Sequence, residues 1–322
     1  MKFPHRVIAL LATGLLAAPA LAAEWGPTKP VRFIVGFPPG GATDLVARIL
    51  QPKLAASLGN QVIVDNRPGA NGVISMQILS RAEPDGHSVG MSHIGSLVVS
   101  PAIQKTGYDP MKDFVHLGML VTLQNILITH PSVPAKNIGE FIAYAKSQPG
   151  KVNYATSGIG SPGHLAVALL EGMAGITLNH VPYKGGGPAI TDLIAGHVPA
   201  FMAVISTAVP HVQSGKARAL GVTGAKRAEA LPGVPTIAEA GVKGYQAINW
   251  YGLSAPPKTP SAISARLNRD FAAALAAPDV IKQLKDRGID ASPSSGSDYQ
   301  KFIRSEQDRW IPVIKHAKIE AS

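Results

Sequence analysis

Two glycine-rich stretches carry the residue types that could hold a small anion. Pro38-Pro39-Gly40-Gly41 follows an apolar run ending at Phe37 and leads into Ala42, Thr43 and Asp44. Tyr183-Lys184-Gly185-Gly186-Gly187 follows a second strand-like segment, Thr177–Pro182, and leads into Pro188, Ala189 and, further on, Asp192. Glycines at the start of a helix leave backbone N–H groups open to a ligand, and the helix dipole favours negative charge there. Pro38 and Pro39 stiffen the first loop, while Gly40 and Gly41 let a ligand approach the backbone closely. A third polar loop adds the hydroxyls of Thr156, Ser157 and Ser161, which suit a carboxylate at a helix start. Thr43 or Asp44 reads as the cap of the first helix, and Asp192 reads the same way for the second. Capping, with ligand contact as an addition, is preferred over acid–base catalysis by an Asp44–Asp192 pair.

Other chemistries fit less well. Gly158-Ile159-Gly160-Ser161-Pro162-Gly163 matches G-x-G-x-x-G between a strand and a helix, but Val181-Pro182-Tyr183-Lys184 lacks the acid a dinucleotide site requires. No G-x-S-x-G elbow, S-x-x-K or H-E-x-x-H motif occurs, so neither a hydrolase nor a metal site is expected. His164 and His180 flank a helix–strand unit and read as partners in local hydrogen bonds. No catalytic residue and no cofactor is expected.

The elements that position these loops alternate strand and helix. Val31–Phe37 reads as a strand, and Leu45, Val46, Ile49, Leu50 and Leu54 recur at helical spacing after it, with Pro52 predicting a kink or break. Strand Gln61–Asp65, turn Asn66–Gly69, helix Gly72–Ala82 and strand Ser88–Ser92 follow. The middle repeats the theme: strand Asn125–Thr129, helix Ile138–Ser147, strand Val152–Ala155, helix His164–Met173, strand Thr177–Pro182 and a helix opening at Thr191. Helices Ser261–Ala277 and Ser297–Ala317 close the chain, with a short one starting at Pro278. This alternation predicts an α/β protein with mostly parallel sheets flanked by helices. Thr43-Asp44-Leu45-Val46-Ala47 is echoed by Thr191-Asp192-Leu193-Ile194-Ala195, which suggests two similar lobes, each offering a helix start at the end of a strand. Ligands in such sheets bind beyond the carboxyl ends of the strands.

The chain has 322 residues, 30 Lys and Arg against 20 Asp and Glu, and no Cys. Disulfides and thiol chemistry are therefore excluded. Met1–Arg6 is basic, Val7–Leu16 is apolar, and Ala20-Leu21-Ala22 is a small-x-small cleavage pattern, so residues 1–22 read as a secretory signal peptide. Its removal takes Lys2 and Arg6 from the formal net charge of +10. No later stretch reaches the length of a membrane span. The remaining basic residues, among them Lys226, Arg227, Lys282 and Lys285, are mixed with acids and form no aromatic-interleaved stripe, so nucleic acid is not an expected partner.

Ordered segments across nearly the whole chain resemble the Bug family of extracytoplasmic solute receptors, the binding components of tripartite tricarboxylate transporters. They include Lys29–Val35 with Pro39-Gly40-Gly41 and Asp44, Asp65–Gly72, Pro84–His87, Tyr183–Ala189, Gly215–Leu220, Leu231–Thr236 and Trp250–Leu253. The resemblance implies a two-lobe periplasmic binding protein fold of type II-like architecture with a ligand cleft between the lobes. Lobe one would combine about residues 24–124 with 250–322, and lobe two would be about 125–249. The loops Phe37–Asp44 and Tyr183–Asp192 would pinch a ligand carboxylate, and the loops carrying Ser92 to Ser96 and Thr156 to Ser161 would meet its far end. Many family members have an aromatic–acid pair before the segment equivalent to Pro210-His211-Val212, where Met202-Ala203 stands here. A ligand amine would lose its partner, which favours dicarboxylates or aromatic acids. The expected role is a monomeric periplasmic receptor delivering a small carboxylate to membrane transporter subunits. The alternatives are an orphan sensor signalling to a membrane partner and, less favoured, a secreted hydrolase.

Overall fold

The computed structural model describes residues 25–320; the expected signal peptide at 1–22 lies outside them. The chain runs β1 (Val31–Val35), α1 (Ala42–Leu58), β2 (Val62–Asn66), α2 (Val73–Ser80), β3 (Ser88–His93) and α3 (Ser100–Ile103). It continues through β4 (Val115–Thr129), α4 (Ile138–Ser147), β5 (Asn153–Thr156), α5 (Pro162–Ala174), β6 (Asn179–Pro182), α6 (Gly186–Ile194), β7 (Ala200–Val204), α7 (Ile205–Gln213) and β8 (Arg218–Val222). It ends with β9 (Ile248–Ala255), α8 (Ser261–Ala276), α9 (Pro278–Lys285), β10 (Ile289–Ala291) and α10 (Gly296–His316).

Strands β2, β1 and β3 are parallel, and β9 lies antiparallel against β3. In the second group β6 and β7 flank β5 in parallel. Strand β4 serves both groups: Val115–Gln124 pairs with β9, while Asn125–Thr129 pairs with β7 and β8. The fully buried Thr223 ties this transition together. Its hydroxyl accepts the Asn125 N–H at 2.8 Å and donates to the Ala247 carbonyl at 2.6 Å.

Helical spacing places the core residues. In α1, Val46, Leu50 and Leu54 are fully buried, and Phe33 beneath them meets Phe271 of α8 edge-on at 5.3 Å between ring centroids. Burying each such side chain contributes about 1.5–3 kcal/mol. In α10, Tyr299, Ile303, Glu306, Trp310 and Ile314 form one buried stripe. Gly252 admits the Tyr299 ring, since a Cβ there would lie 2.1 Å from its ζ carbon.

Four expectations are corrected. Helix α1 is unbroken through Pro52. The lost N–H costs one bond, but the buried residues on both sides of Pro52 share one core. Gly41, rather than Thr43 or Asp44, is the N-cap of α1. Helix α6 starts at Gly186, five residues before Thr191, because first-turn residues need no intrahelical N–H donor and Pro188 fits there. Asp192 therefore sits past the middle of α6, and the Thr-Asp-Leu echo occupies different helical positions in α1 and α6. Finally, β4 is a 15-residue strand, of which Asn125–Thr129 is only the end.

The buried Glu306 carboxylate accepts the indole N–H groups of Trp250 at 2.9 Å and Trp310 at 3.2 Å through the same oxygen. Burial raises its pKa above the ordinary value of 4.5, against the lowering effects of Trp250, Arg309 and Trp310. A raised carboxyl pKa contributes stability that is present below the unfolded value and lost as pH rises. Glu306→Gln keeps the shared acceptor and removes the buried charge, so it should melt above the wild type at pH 7, with the advantage vanishing below about pH 4.5. Glu306→Leu should destabilise by roughly 1–3 kcal/mol for each indole N–H left unpaired. Thermal melts across pH check both.

Candidate ligand-binding site

A cleft lies where the carboxyl ends of five strands meet. Phe37 and Pro38 follow β1, His93 ends β3, Ser157 follows β5, Gly185 follows β6 and Val204 ends β7; all six line it. Strand β9 supplies the floor through Asn249 and Tyr251, which point the same way because they alternate on one strand.

Three helix N-termini reach this cavity. Gly41, Ala42 and Thr43 open α1, Gly185–Pro188 open α6, and Val204 and Thr207 flank the start of α7. No side chain caps any of the three. Their first N–H groups have no intrahelical partner by helix geometry, and their dipoles favour negative charge. The ends of α6 and α7 share one corner: a Cβ on Gly186 would lie 3.4 Å from Thr207 Oγ1 and 3.7 Å from Ser157 Oγ. The α1 loop closes on the same corner, with Pro38 Cδ 3.3 Å from where a Gly185 Cβ would be. Among the described residues, no Lys, Arg, Asp or Glu lines the cavity.

Several expected site residues support this geometry from behind. Gly40 takes a φ of +84°, which favours glycine, and donates its N–H to Asp44 Oδ2 at 3.0 Å. Asp44 also accepts Arg48 Nε at 2.9 Å and Asn66 Nδ2 at 3.0 Å. Burial alone would raise the Asp44 pKa, but these bonds hold the carboxyl below its ordinary value. Asp44 therefore braces the loop. Thr156 hydrogen-bonds His180 Nε2 at 2.6 Å, and Ser161 caps α5. Asp192 accepts the Tyr183 hydroxyl at 2.7 Å, which fixes the loop before Gly185.

Other expected residues lie elsewhere. Tyr183 and Lys184 line a wider outer groove that shares Phe37, Pro38 and Ser157 with the cavity. Ser92 and Ser96 do not line the cavity, correcting their expected place: Ser92 is buried between Ser254 and Tyr299 hydroxyls, and Ser96 folds back onto the His93 backbone. Their segment meets the cavity through His93 instead. Ala189 lies on the buried face of α6, packed in the core.

His93, Pro162, Val204, Thr207, Asn249 and Tyr251 were not foreseen. Long-range pairing places Tyr251, since it stands opposite His93 in the β3–β9 register. The Gly95 N–H donates to His93 Nδ1 at 3.0 Å, which leaves the proton on Nε2. Burial pushes the His93 pKa down to about 3, so the ring is neutral.

Four histidines, two buried and two half-buried, share this behaviour. Burial lowers His116 and His164 to about 4, and burial together with the stacked His164 lowers His180 to about 3. A depressed histidine pKa contributes stability that is present above the unfolded value near 6.5 and lost as pH falls. The melting temperature should therefore decline from about pH 6.5 to pH 4, while ligand affinity stays flat between pH 5 and 8 because the folded site remains neutral. Melts and calorimetric titrations over that range check this.

A family model described as the tripartite tricarboxylate transporter family receptor matches residues 46–319. Solved structures share the architecture. The periplasmic binding protein BugD is 33% identical, with a TM-score of 0.87, covering 92% of this chain and 100% of its own. A Rhodopseudomonas palustris protein solved with adipate is 33% identical, with a TM-score of 0.88, covering 91% of this chain and 99% of its own. MatC from Rhodopseudomonas palustris, solved with bound malate, is 32% identical, with a TM-score of 0.85, covering 89% of this chain and 99% of its own.

Proposed function

The chain belongs to the tripartite tricarboxylate transporter receptor family, and on that premise we propose that it captures a small organic carboxylate in the periplasm and delivers it to membrane transporter subunits. The observation that carries this reading is the convergence of three uncapped helix N-termini on a cavity with no formal charge. Preorganised N–H groups and dipoles stabilise an anion there without the cost of burying a matching cation. The solved relatives with adipate and malate support the ligand class.

The proposed lobes are about residues 24–124 with 250–322, and about 125–249, joined where β4 and the segment before β9 cross. Closure of the cleft over the ligand would couple binding to delivery, since a ligand that touches both lobes favours the closed state. Asn71 spans the two, donating from Nδ2 to the Gly160 carbonyl at 2.7 Å. Export by the residue 1–22 segment, action as a monomer and the absence of a catalytic step belong to the same reading. Delivery to a signalling partner instead of a transporter would use the same closed state.

Calorimetric titration against a carboxylate panel tests the reading, with Asp44→Ala and Tyr183→Ala as controls. Both variants should bind roughly 5- to 100-fold more weakly, because each releases a loop that holds a helix start. Unchanged affinity in both, or no carboxylate bound by the wild type, would overturn it.

A further inference from the structure

Asn249 and Tyr251 alternate on β9 and line the cavity, although both are buried. Their hydrogen bonds run in one direction. The Trp250 N–H donates to Asn249 Oδ1 at 2.8 Å, and only an oxygen can accept it, so the orientation of the amide is set. Nδ2 of the same amide then donates to the Tyr251 hydroxyl oxygen at 3.4 Å. An amide nitrogen accepts no hydrogen bond, so the Tyr251 proton must go elsewhere.

The strand neighbours offer it no acceptor. On the β4 side Tyr251 stands opposite Val121, and Asn249 opposite Leu123. On the β3 side Tyr251 stands opposite His93. Nδ1 of that ring is taken by the Gly95 N–H, and Nε2 carries the ring proton. Nε2 is itself buried without a partner, beside Gly72, where a Cβ would lie 2.6 Å from it. His93 therefore adds a donor and no acceptor. Burial raises the Tyr251 pKa well above its ordinary 10, against the lowering effect of the Asn249 bond, so the hydroxyl keeps its proton. A buried hydroxyl proton without an acceptor is destabilising, and a ligand oxygen that accepts it removes the penalty.

We propose that the Tyr251 hydroxyl donates a hydrogen bond to an oxygen of the bound carboxylate ligand, with Asn249 as the positioning residue that turns the proton toward the cavity. A ligand that sets a C–H group against this hydroxyl leaves it unpaired, so Tyr251 selects ligands by where they carry oxygen. This deepens the carboxylate-receptor reading and rests on it.

The test is calorimetry on the mature full-length protein with adipate, malate, levulinate and pentanoate, and with the tightest binder of the carboxylate panel. Tyr251→Phe, checked by its melting curve, should weaken binding by roughly 2- to 100-fold. A loss shared by pentanoate places the hydroxyl on the carboxylate itself, and a loss confined to the other probes places it on a second oxygen. In protein labelled at tyrosine Cζ, the signal absent from Tyr251→Phe should move downfield on saturation. Asn249→Asp keeps the acceptor for Trp250 and turns an oxygen toward Tyr251. In that variant the signal should lie downfield before ligand is added and stay there afterwards. Affinities within about twofold of the wild type for every probe in Tyr251→Phe, or an unmoved Cζ signal in the wild type, would overturn this proposal while leaving the carboxylate reading intact. Binding of no probe and of no member of the wider panel by the wild type overturns both.

Discussion

The chain passes twice between its two groups of strands, and the Thr223 hydroxyl binds those passages to each other by joining Asn125 to Ala247. At that point β4 exchanges β9 for β7 and β8 as partners. This constraint turns the carboxyl ends of β1 and β3 toward those of β5, β6 and β7. Each of those ends either starts a helix or carries a cavity side chain. The site is thus a consequence of topology, in keeping with ligands settling beyond the carboxyl ends of strands in α/β sheets.

The electrostatics follow from the same arrangement. The chain is basic overall, with a formal net charge of +10, yet the cavity is lined without any charged side chain among the described residues. Lys184 stands in the outer groove, where it favours approach of an anion but does not hold one within the cavity. Asp44, the carboxylate beside the cavity, is spent on Gly40, Arg48 and Asn66. On the proposed reading the anion's partners are backbone dipoles, which are fixed by the fold and carry no desolvation cost of a full charge.

Much of this was legible in the sequence, for identifiable reasons. Helix α4 spans the residues its spacing predicts, with Asn137 accepting the Glu140 N–H as cap. The glycine loops declared themselves because bare glycines beside an apolar run are a local signal. What stayed hidden was set by distant contacts. Helix α6 begins in two glycines and a proline behind a glycine N-cap, a poor helix sequence held by its seat against β7. His93, Asn249 and Tyr251 meet through strand pairing between segments far apart in the chain, which no local period encodes. Ser92 and Ser96 look like ligand hydroxyls in sequence, but their partners Ser254, Tyr299 and His93 draw them inward.

The central claim is that backbone N–H groups at helix starts, rather than a cation, hold the carboxylate. Amide NMR of the isotope-labelled protein, titrated to saturation with a bound carboxylate, reads this directly. The account predicts the largest downfield proton shifts at the amides of Ala42, Thr43, Gly186 and Gly187, with the Lys184 ammonium unaffected. Unmoved amides at those four positions, together with loss of binding in Lys184→Met, would contradict it.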